Sequence, residues 1–395
     1  MKITKFLLLN QMAGPLFREL AEDLADAMPE GCILKTGHPD TLRIGSKTDK
    51  LQIQSAPAYN RKSKATRIIS WLYYAVISLW AMLRADKNTA LLIVSNPPLL
   101  GPIAWLVNGI KKTPYVVLVY DMHPDTMVSF GVLSENSPVT RLWRKINRAV
   151  WNRAAAVYTI GPVMAEKLAA QFDPLLTPLG RVGVIPPWAD TQRIKPIPKL
   201  DNSLAKELGQ NGYTTVLYSG NMGISHDIDS MLEAAKLLAT RQDIKFLFIG
   251  EGAKWQDACD FRDRYQLTNL DVLPFQPEEK LPYTMALGDI ALVALDKGAE
   301  GLMVPSKMYY YLAAGSAVIG ICHGRNDVSV TLENGDCGIT VTPGQPDELA
   351  RTICGLVDDP GRLDVLRKKA RAVAIDFYSR VACTDLFIRS LPIDK

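Results

Sequence analysis

Three features of the 395-residue sequence predict an α/β protein built as two parallel-sheet halves. Short apolar runs alternate with helix-length patterns from end to end, and this alternation restarts after a proline-rich stretch. The chain is also too long for one ordinary core. Nearly half of the residues (48%) are apolar and 22% are charged, the balance of a folded globular protein.

In the first half, Ile3–Leu9, Ala90–Val94, Tyr115–Tyr120 and Ala155–Ile160 are near-continuous apolar runs, as expected of parallel strands covered on both faces. Met1 to Leu9 is too short in its apolar run for a signal peptide and reads as a first strand. Gly14–Ala27, Arg67–Leu83, Leu99–Gly109 and Val139–Arg153 carry helical patterns. Repeated βα units imply an open parallel sheet with helices on its faces. Pro186, Pro187, Pro196 and Pro198 mark a connection, which bounds a first domain at residues 1–195. Beyond it, the strands expected are Thr215–Tyr218, Lys245–Ile249, Asp271–Leu273, Ile290–Ala294 and Ala317–Ile321. The helices expected are Asp229–Thr240, Trp255–Tyr265, Lys307–Ala314, Asp347–Asp358 and Gly361–Asp376. These define a second domain at 196–376, and residues 377–395 read as a helix returning to the first. Two Rossmann-like halves imply a cleft, with ligands at the carboxyl ends of the strands.

Charge is lopsided. Residues 1–195 hold 24 Lys+Arg against 14 Asp+Glu, a balance of +10, while the remainder holds 21 against 27. The basic half suits an anionic partner such as membrane headgroups or a phosphorylated acceptor. No zinc-finger spacing, RNA-binding aromatic pattern or basic helix repeat points to nucleic acid. The six cysteines are widely spaced with no CxxC pair, which suits free thiols in a reducing cytoplasm.

The segment Ile68–Leu83 has two readings. It is apolar apart from Ser70 and Ser78, contains Trp71, Tyr73, Tyr74 and Trp80, and is flanked by Arg61, Lys62, Lys64, Arg67, Arg84 and Lys87. One reading is a helix lying in a membrane interface, which would make the protein peripheral on the inner face of the cytoplasmic membrane. The other is a core helix packed on the first sheet.

Glycines sit where anions are commonly held. Gly14 lies between the first strand and its helix. Gly220-Asn221-Met222-Gly223 ends the first strand of the second half, and Gly250-Glu251-Gly252 repeats the pattern one unit later. Such loops let main-chain N–H groups cradle a diphosphate, and Lys254 follows close by. The spacing Gly220-x-x-Gly223 is not the dinucleotide fingerprint. The stretch from Glu300 to Gly315 is the most informative. An acidic residue and a glycine end a loop, Pro305 and Ser306 open a helix, and Gly315 closes it. Amides at that helix start, with Lys307 beside them, would neutralise a phosphate without a metal ion. Asp227-Ile228-Asp229 reads as a helix cap rather than a metal site.

Val304-Pro305-Ser306-Lys307 and Tyr311-Leu312-Ala313-Ala314-Gly315 resemble the retaining family 4 glycosyltransferases of GT-B fold, and in particular the subgroup that builds cell-surface polysaccharides and lipid-linked glycans. The resemblance extends over Tyr218–Gly223, Phe248–Gly252, Val272–Gln276, Cys337–Ile339 and Asp347–Ser379. It implies two Rossmann-like domains with parallel sheets facing across a cleft, a nucleoside-diphosphate sugar as co-substrate, no cofactor, and a hydroxyl acceptor that is lipid-linked or a small molecule. It further implies that Glu300 contacts the donor sugar, that Ser306 and Lys307 meet the diphosphate, that Val304 belongs to the donor site, and that Phe275 and Gln276 border the base. Asp121-Met122-His123-Pro124-Asp125 resembles the subgroup's D-x-W-P-E segment, with His123 in place of tryptophan, so Asp121 and His123 would face the reaction centre. Two departures stand out. The second glutamate of the family helix is Tyr310, whose phenol cannot grip two ribose hydroxyls as a carboxylate does. The basic pair that follows the first glycine loop in many members is absent. Two other readings of the same architecture are a sugar-nucleotide epimerase and a nucleotide-sugar-binding protein without turnover.

Overall fold

The computed structural model describes residues 2–60, 62–172, 182–223, 226–295 and 297–392; Arg61, one of the cations named above, lies outside them. The chain divides into two compact units, one comprising 1–186, 301–303 and 383–395, the other 187–300 and 304–382.

The first unit runs β1 (Lys5–Leu9), α1 (Pro15–Ala27), β2 (Cys32–Thr36), α2 (Pro39–Ile44), β3 (Leu51–Ser55), α3 (Lys64–Arg84), β4 (Thr89–Val94), α4 (Leu100–Lys111), β5 (Tyr115–Val119), α5 (Asp125–Ser129), α6 (Pro138–Arg153), β6 (Ala156–Thr159), α7 (Pro162–Ala169) and β7 (Val182–Val184). All strands are parallel, in the order β3-β2-β1-β4-β5-β6-β7. Strands β4 and β5 are buried at every residue, the signature of a sheet covered on both faces.

The second unit runs α8 (Ser203–Glu207), β8 (Thr214–Asn221), α9 (Ile228–Leu237), β9 (Ile244–Glu251), α10 (Trp255–Arg264), β10 (Leu270–Leu273), α11 (Leu281–Met285), β11 (Ile290–Ala294), α12 (Lys307–Ala314), β12 (Ala317–Ile321), α13 (Asp327–Gly335), β13 (Gly338–Val341), α14 (Pro346–Val357) and α15 (Pro360–Phe377). Its parallel order is β10-β9-β8-β11-β12-β13. Alternate strand residues feed separate cores. Val216, Phe246, Phe248, Ile290 and Leu292 join one, and Leu217, Leu247, Ile249, Ala291 and Val293 join the other. The last helix, α16 (Arg380–Ser390), contributes Phe387 and Ser390 to the first unit. The Phe387 ring meets Tyr158 edge-on at 4.8 Å, and Ser390 Oγ lies 2.9 Å from the Tyr158 hydroxyl.

Four strands lie outside the apolar runs of the sequence: β2, β3, β7 and β13. They are peripheral or short, and their exposed positions carry polar residues, as in Leu-Gln-Ile-Gln-Ser of β3. All six cysteines are free thiols; five are buried and Cys354 is half-buried.

In each sheet the strand order reverses direction once, between β1 and β4 and between β8 and β11. Connections on either side of such a point diverge to opposite faces and leave a crevice at the carboxyl ends. Gly14 and Asp121 lie at the first of these points, and Gly220 and Lys307 at the second.

Candidate active site

In the second unit, β8 and β9 stay paired to their ends, with Gly220 opposite Gly250 and Asn221 opposite Glu251. The two glycines have φ of +138° and +156°. A Cβ on Gly250 would fall 1.9 Å from the Gly220 carbonyl oxygen, so only glycine permits this approach. Gly252 (φ +131°) is similarly pressed, with its virtual Cβ 2.6 Å from the Met222 carbonyl oxygen and 2.7 Å from Asn221 Oδ1. Gly223 faces Asn221 Nδ2, which a Cβ would approach to 3.2 Å.

Helix α12 starts beside this platform. Ser306 is its exposed N-cap residue and makes no side-chain cap; Gly315 closes it in the left-handed conformation at φ 71°. Lys307 reaches back over β8. Its Nζ donates to the Tyr218 hydroxyl at 2.8 Å and stands 4.0 Å from the centre of that ring. A Cβ on Gly220 would lie 3.2 Å from the same Nζ. The Tyr218 hydroxyl also lies 2.8 Å from the Asn221 carbonyl oxygen and 2.8 Å from His226 Nδ1. One helix turn on, the buried Tyr311 hydroxyl accepts from the Ser219 amide at 2.6 Å and donates to the Ser219 carbonyl at 3.0 Å, which fixes α12 against the end of β8. Burial pushes the Tyr311 phenol well above its ordinary range, so it stays protonated and can make both bonds.

The remaining sequence-derived residues sit as follows. Glu300 turns onto its own loop, and its Oε2 accepts from the Gly298 amide at 2.8 Å. Lys254 Nζ is bound by Asp229 Oδ2 at 2.6 Å and by the His226 carbonyl at 3.0 Å, so a carboxylate already meets its charge. Val304 and Tyr310 are half-buried against the core around Tyr309 and Tyr311. Phe275 is 48% exposed after β10, and Gln276 Nε2 donates to the Pro274 carbonyl. Asp227 caps α9, accepting from the Ser230 amide at 3.1 Å. Tyr218 and Tyr311 were not singled out as positioning residues by sequence. A tyrosine within an apolar run reads as core, and only the fold reveals that both hydroxyls converge on one strand end.

In the first unit, Gly14 caps α1 with Pro15 in its first turn, and borders a cavity of about 330 Å³ at the β1/β4 point. Asn10, Asn96, Tyr120 and Asp121 supply its polar lining, and Met12 and Phe17 part of its apolar wall. Burial pushes the Asp121 carboxyl above its ordinary value, opposed by the imidazole of His123; burial likewise pushes His123 below 6.5, opposed by Asp121. The Thr126 hydroxyl donates to the Met122 carbonyl at 3.0 Å and lies 3.0 Å from His123 Nδ1. A hydroxyl has one proton to give, so Nδ1–H must donate to Thr126 Oγ1, and neutral His123 keeps its lone pair on Nε2. Asn147 Nδ2 holds the His123 carbonyl at 2.6 Å. Asp125 is tied to Arg144 (Nε, 2.8 Å) and Gln171 (Nε2, 2.9 Å), which anchors the start of α5.

The arrangement therefore offers an ammonium and helix-start amides beside two glycine strand ends in one unit. In the other it offers a polar crevice with a half-buried carboxyl and a neutral imidazole. Residues 13–188 match the family model described as a glycosyl transferase 4-like domain, and residues 213–359 that described as glycosyl transferases group 1. The chain is similar to a probable glycosyltransferase, WbjE, of Pseudomonas aeruginosa (27% identity over 84% of this chain and 81% of that protein). It is also similar to the 2-deoxystreptamine glucosyltransferase of Streptomyces kanamyceticus (24% identity, 83% and 85%). Among solved structures, Anabaena HepE in complex with UDP-glucose superposes with a TM-score of 0.71 at 17% identity, covering 98% of this chain and 99% of that one. Sucrose-phosphate synthase from Thermosynechococcus elongatus gives 0.73 at 15% identity, with 98% of each chain covered. The two domain models occupy the two units in turn, on the fold of these structures, and the chain is a glycosyltransferase of GT-B fold.

Proposed function

We propose that the protein moves a sugar from a nucleoside-diphosphate sugar to a hydroxyl acceptor, with retained anomeric configuration and without a metal ion, as a retaining family 4 enzyme. The observation that carries this reading is the Lys307 ammonium held over Gly220 at the start of α12. As the anomeric C–O bond breaks, negative charge grows on the departing phosphate. A fixed ammonium and the positive end of the α12 dipole stabilise that charge with no reorganisation. UDP and UDP-glucose in complexes of the structurally similar HepE favour a uridine nucleotide as the donor. Asp121 and His123 orient the acceptor hydroxyl, whose oxygen forms the new bond to the anomeric carbon as its proton passes to the departing phosphate oxygen. Glu300 holds the donor sugar, and Phe275 and Gln276 border the base. Tyr310 supplies a single hydroxyl where the family's second glutamate would supply a carboxylate.

The test is incubation of the whole chain with a panel of UDP, GDP and ADP sugars, with and without lipid-linked and soluble acceptors, in the presence of EDTA. Acceptor-dependent release of nucleoside diphosphate that EDTA leaves unchanged is the expected result. Isomer interconversion would make the protein an epimerase, and binding without turnover would make it a non-catalytic receptor. Because burial lowers the His123 pKa, the imidazole stays neutral to below pH 6.5 and its Nε2 remains an acceptor there. Activity is therefore expected to hold from neutrality down past pH 6.5 and to fall as His123 is protonated. In His123→Gln that acid limb should disappear from the pH profile of kcat/KM. A limb that persists in the variant would reassign it to another group.

A further inference from the structure

Helix α3 carries far more apolar surface than its packing uses. Ser70, Tyr74, Ser78 and Met82, spaced four apart, form the buried stripe, and the Tyr74 hydroxyl donates to the Lys35 carbonyl at 2.8 Å. On the opposite side Ile69, Leu72, Tyr73, Val76 and Trp80 are 52–64% exposed, at the spacing of one helical face. Helix α4 extends the surface with Ile110, 76% exposed, and Lys111 Nζ ties the two helices by donating to the Leu83 (2.6 Å) and Ala85 (2.8 Å) carbonyls. Contiguous apolar patches of this kind mark binding surfaces.

The charge around the patch identifies the occupant. Between Leu51 and Tyr120 the sequence has eight Lys or Arg and a single acid, Asp86, which Lys5 holds at 3.6 Å. Arg67 lies over the Trp71 ring at 5.5 Å and Arg84 over Trp80 at 5.0 Å, pairing cations with aromatics as an interfacial helix does. A second copy would oppose one cationic rim to another, which is unfavourable. A spanning orientation would strip α3 from the sheet that its buried stripe covers. Trp80 and Arg84 line a cavity of about 430 Å³ with Ile33, Ile77, Lys35 and Asp86, the one acid, which Lys5 holds. Its volume falls within the range of small-ligand pockets.

We propose that the first unit docks on an anionic bilayer surface through α3 and the end of α4, and that the phosphate of one lipid headgroup sits between Lys35 and Arg84. This stands independently of the donor reading. The probe is co-flotation of the full chain with vesicles of phosphatidylcholine alone or mixed with phosphatidylglycerol. Binding to the mixed vesicles only, weakened by salt, is the expected result. Ile69→Glu/Leu72→Glu/Val76→Glu should abolish it with an unchanged circular dichroism spectrum and melting temperature. Lys35→Gln and Arg84→Gln should each weaken it roughly fivefold, the value of one cation near an anionic surface. Equal flotation with both vesicle types, no flotation with either, or undiminished flotation of the triple variant would overturn the docking. A wild-type dimer that dissociates in the triple variant and never floats would assign the face to a second copy instead. Wild-type affinity in both Gln variants would overturn the headgroup site.

Discussion

Lys307→Ala is expected to lower turnover by roughly 10²–10³-fold, the usual cost of removing one preorganised stabiliser of transition-state charge. The side chain is half-buried and its partners include the Tyr218 ring and hydroxyl, so truncation opens no core cavity and the melting temperature should barely move. Lys254 offers little compensation, because Asp229 already holds it. The measurement is nucleoside-diphosphate release at saturating donor and acceptor. A loss confined to KM would mean that the ammonium binds ground state and transition state alike. Near-normal rates would remove the leaving group from the start of α12 altogether.

Gly250→Ala should have the largest effect on folding. The added methyl would meet the Gly220 carbonyl oxygen at 1.9 Å, and that oxygen belongs to the paired backbone of β8, which cannot rotate aside as a side chain would. Either the strand ends separate or the chain leaves a φ of +156° that alanine disfavours. A cost on the order of 3–5 kcal/mol is expected, a large part of a domain's net stability. Gly344→Ala is the control: its φ is +76° but no atom lies within 4 Å of the added carbon, so only backbone strain of about 1 kcal/mol applies. Urea unfolding of the two variants separates collision from conformational strain. Equal midpoints would deny the close approach of the two strand ends.

The buried centre of each sheet was legible because parallel strands covered on both faces leave an uninterrupted apolar record, as in Tyr115–Val119 and Ile290–Ala294. Strands β2 and β3 left no such record, since an outer strand needs apolar residues on only part of its surface. The glycines were legible for a different reason. Gly220, Gly250 and Gly252 occupy backbone conformations that other residues avoid, so composition and geometry coincide there. The surroundings of Lys254 were not legible: Asp229 lies 25 residues away, and only the adjacent ends of β8 and β9 bring the charges together. Helix α3 was open to two readings because composition gives its apolarity but not which side the sheet covers; the structure buries one stripe and leaves the rest bare.

The sealed thiols also make each half of the molecule its own clock. Burial pushes Cys32 and Cys383 in the first unit, and Cys337 in the second, up to about 12, so the folded protein presents scarcely any thiolate at these positions. Alkylation at each must await an opening of the unit that encloses it. Peptide-resolved labelling rates would therefore time the breathing of the two halves separately, in one sample and without denaturant.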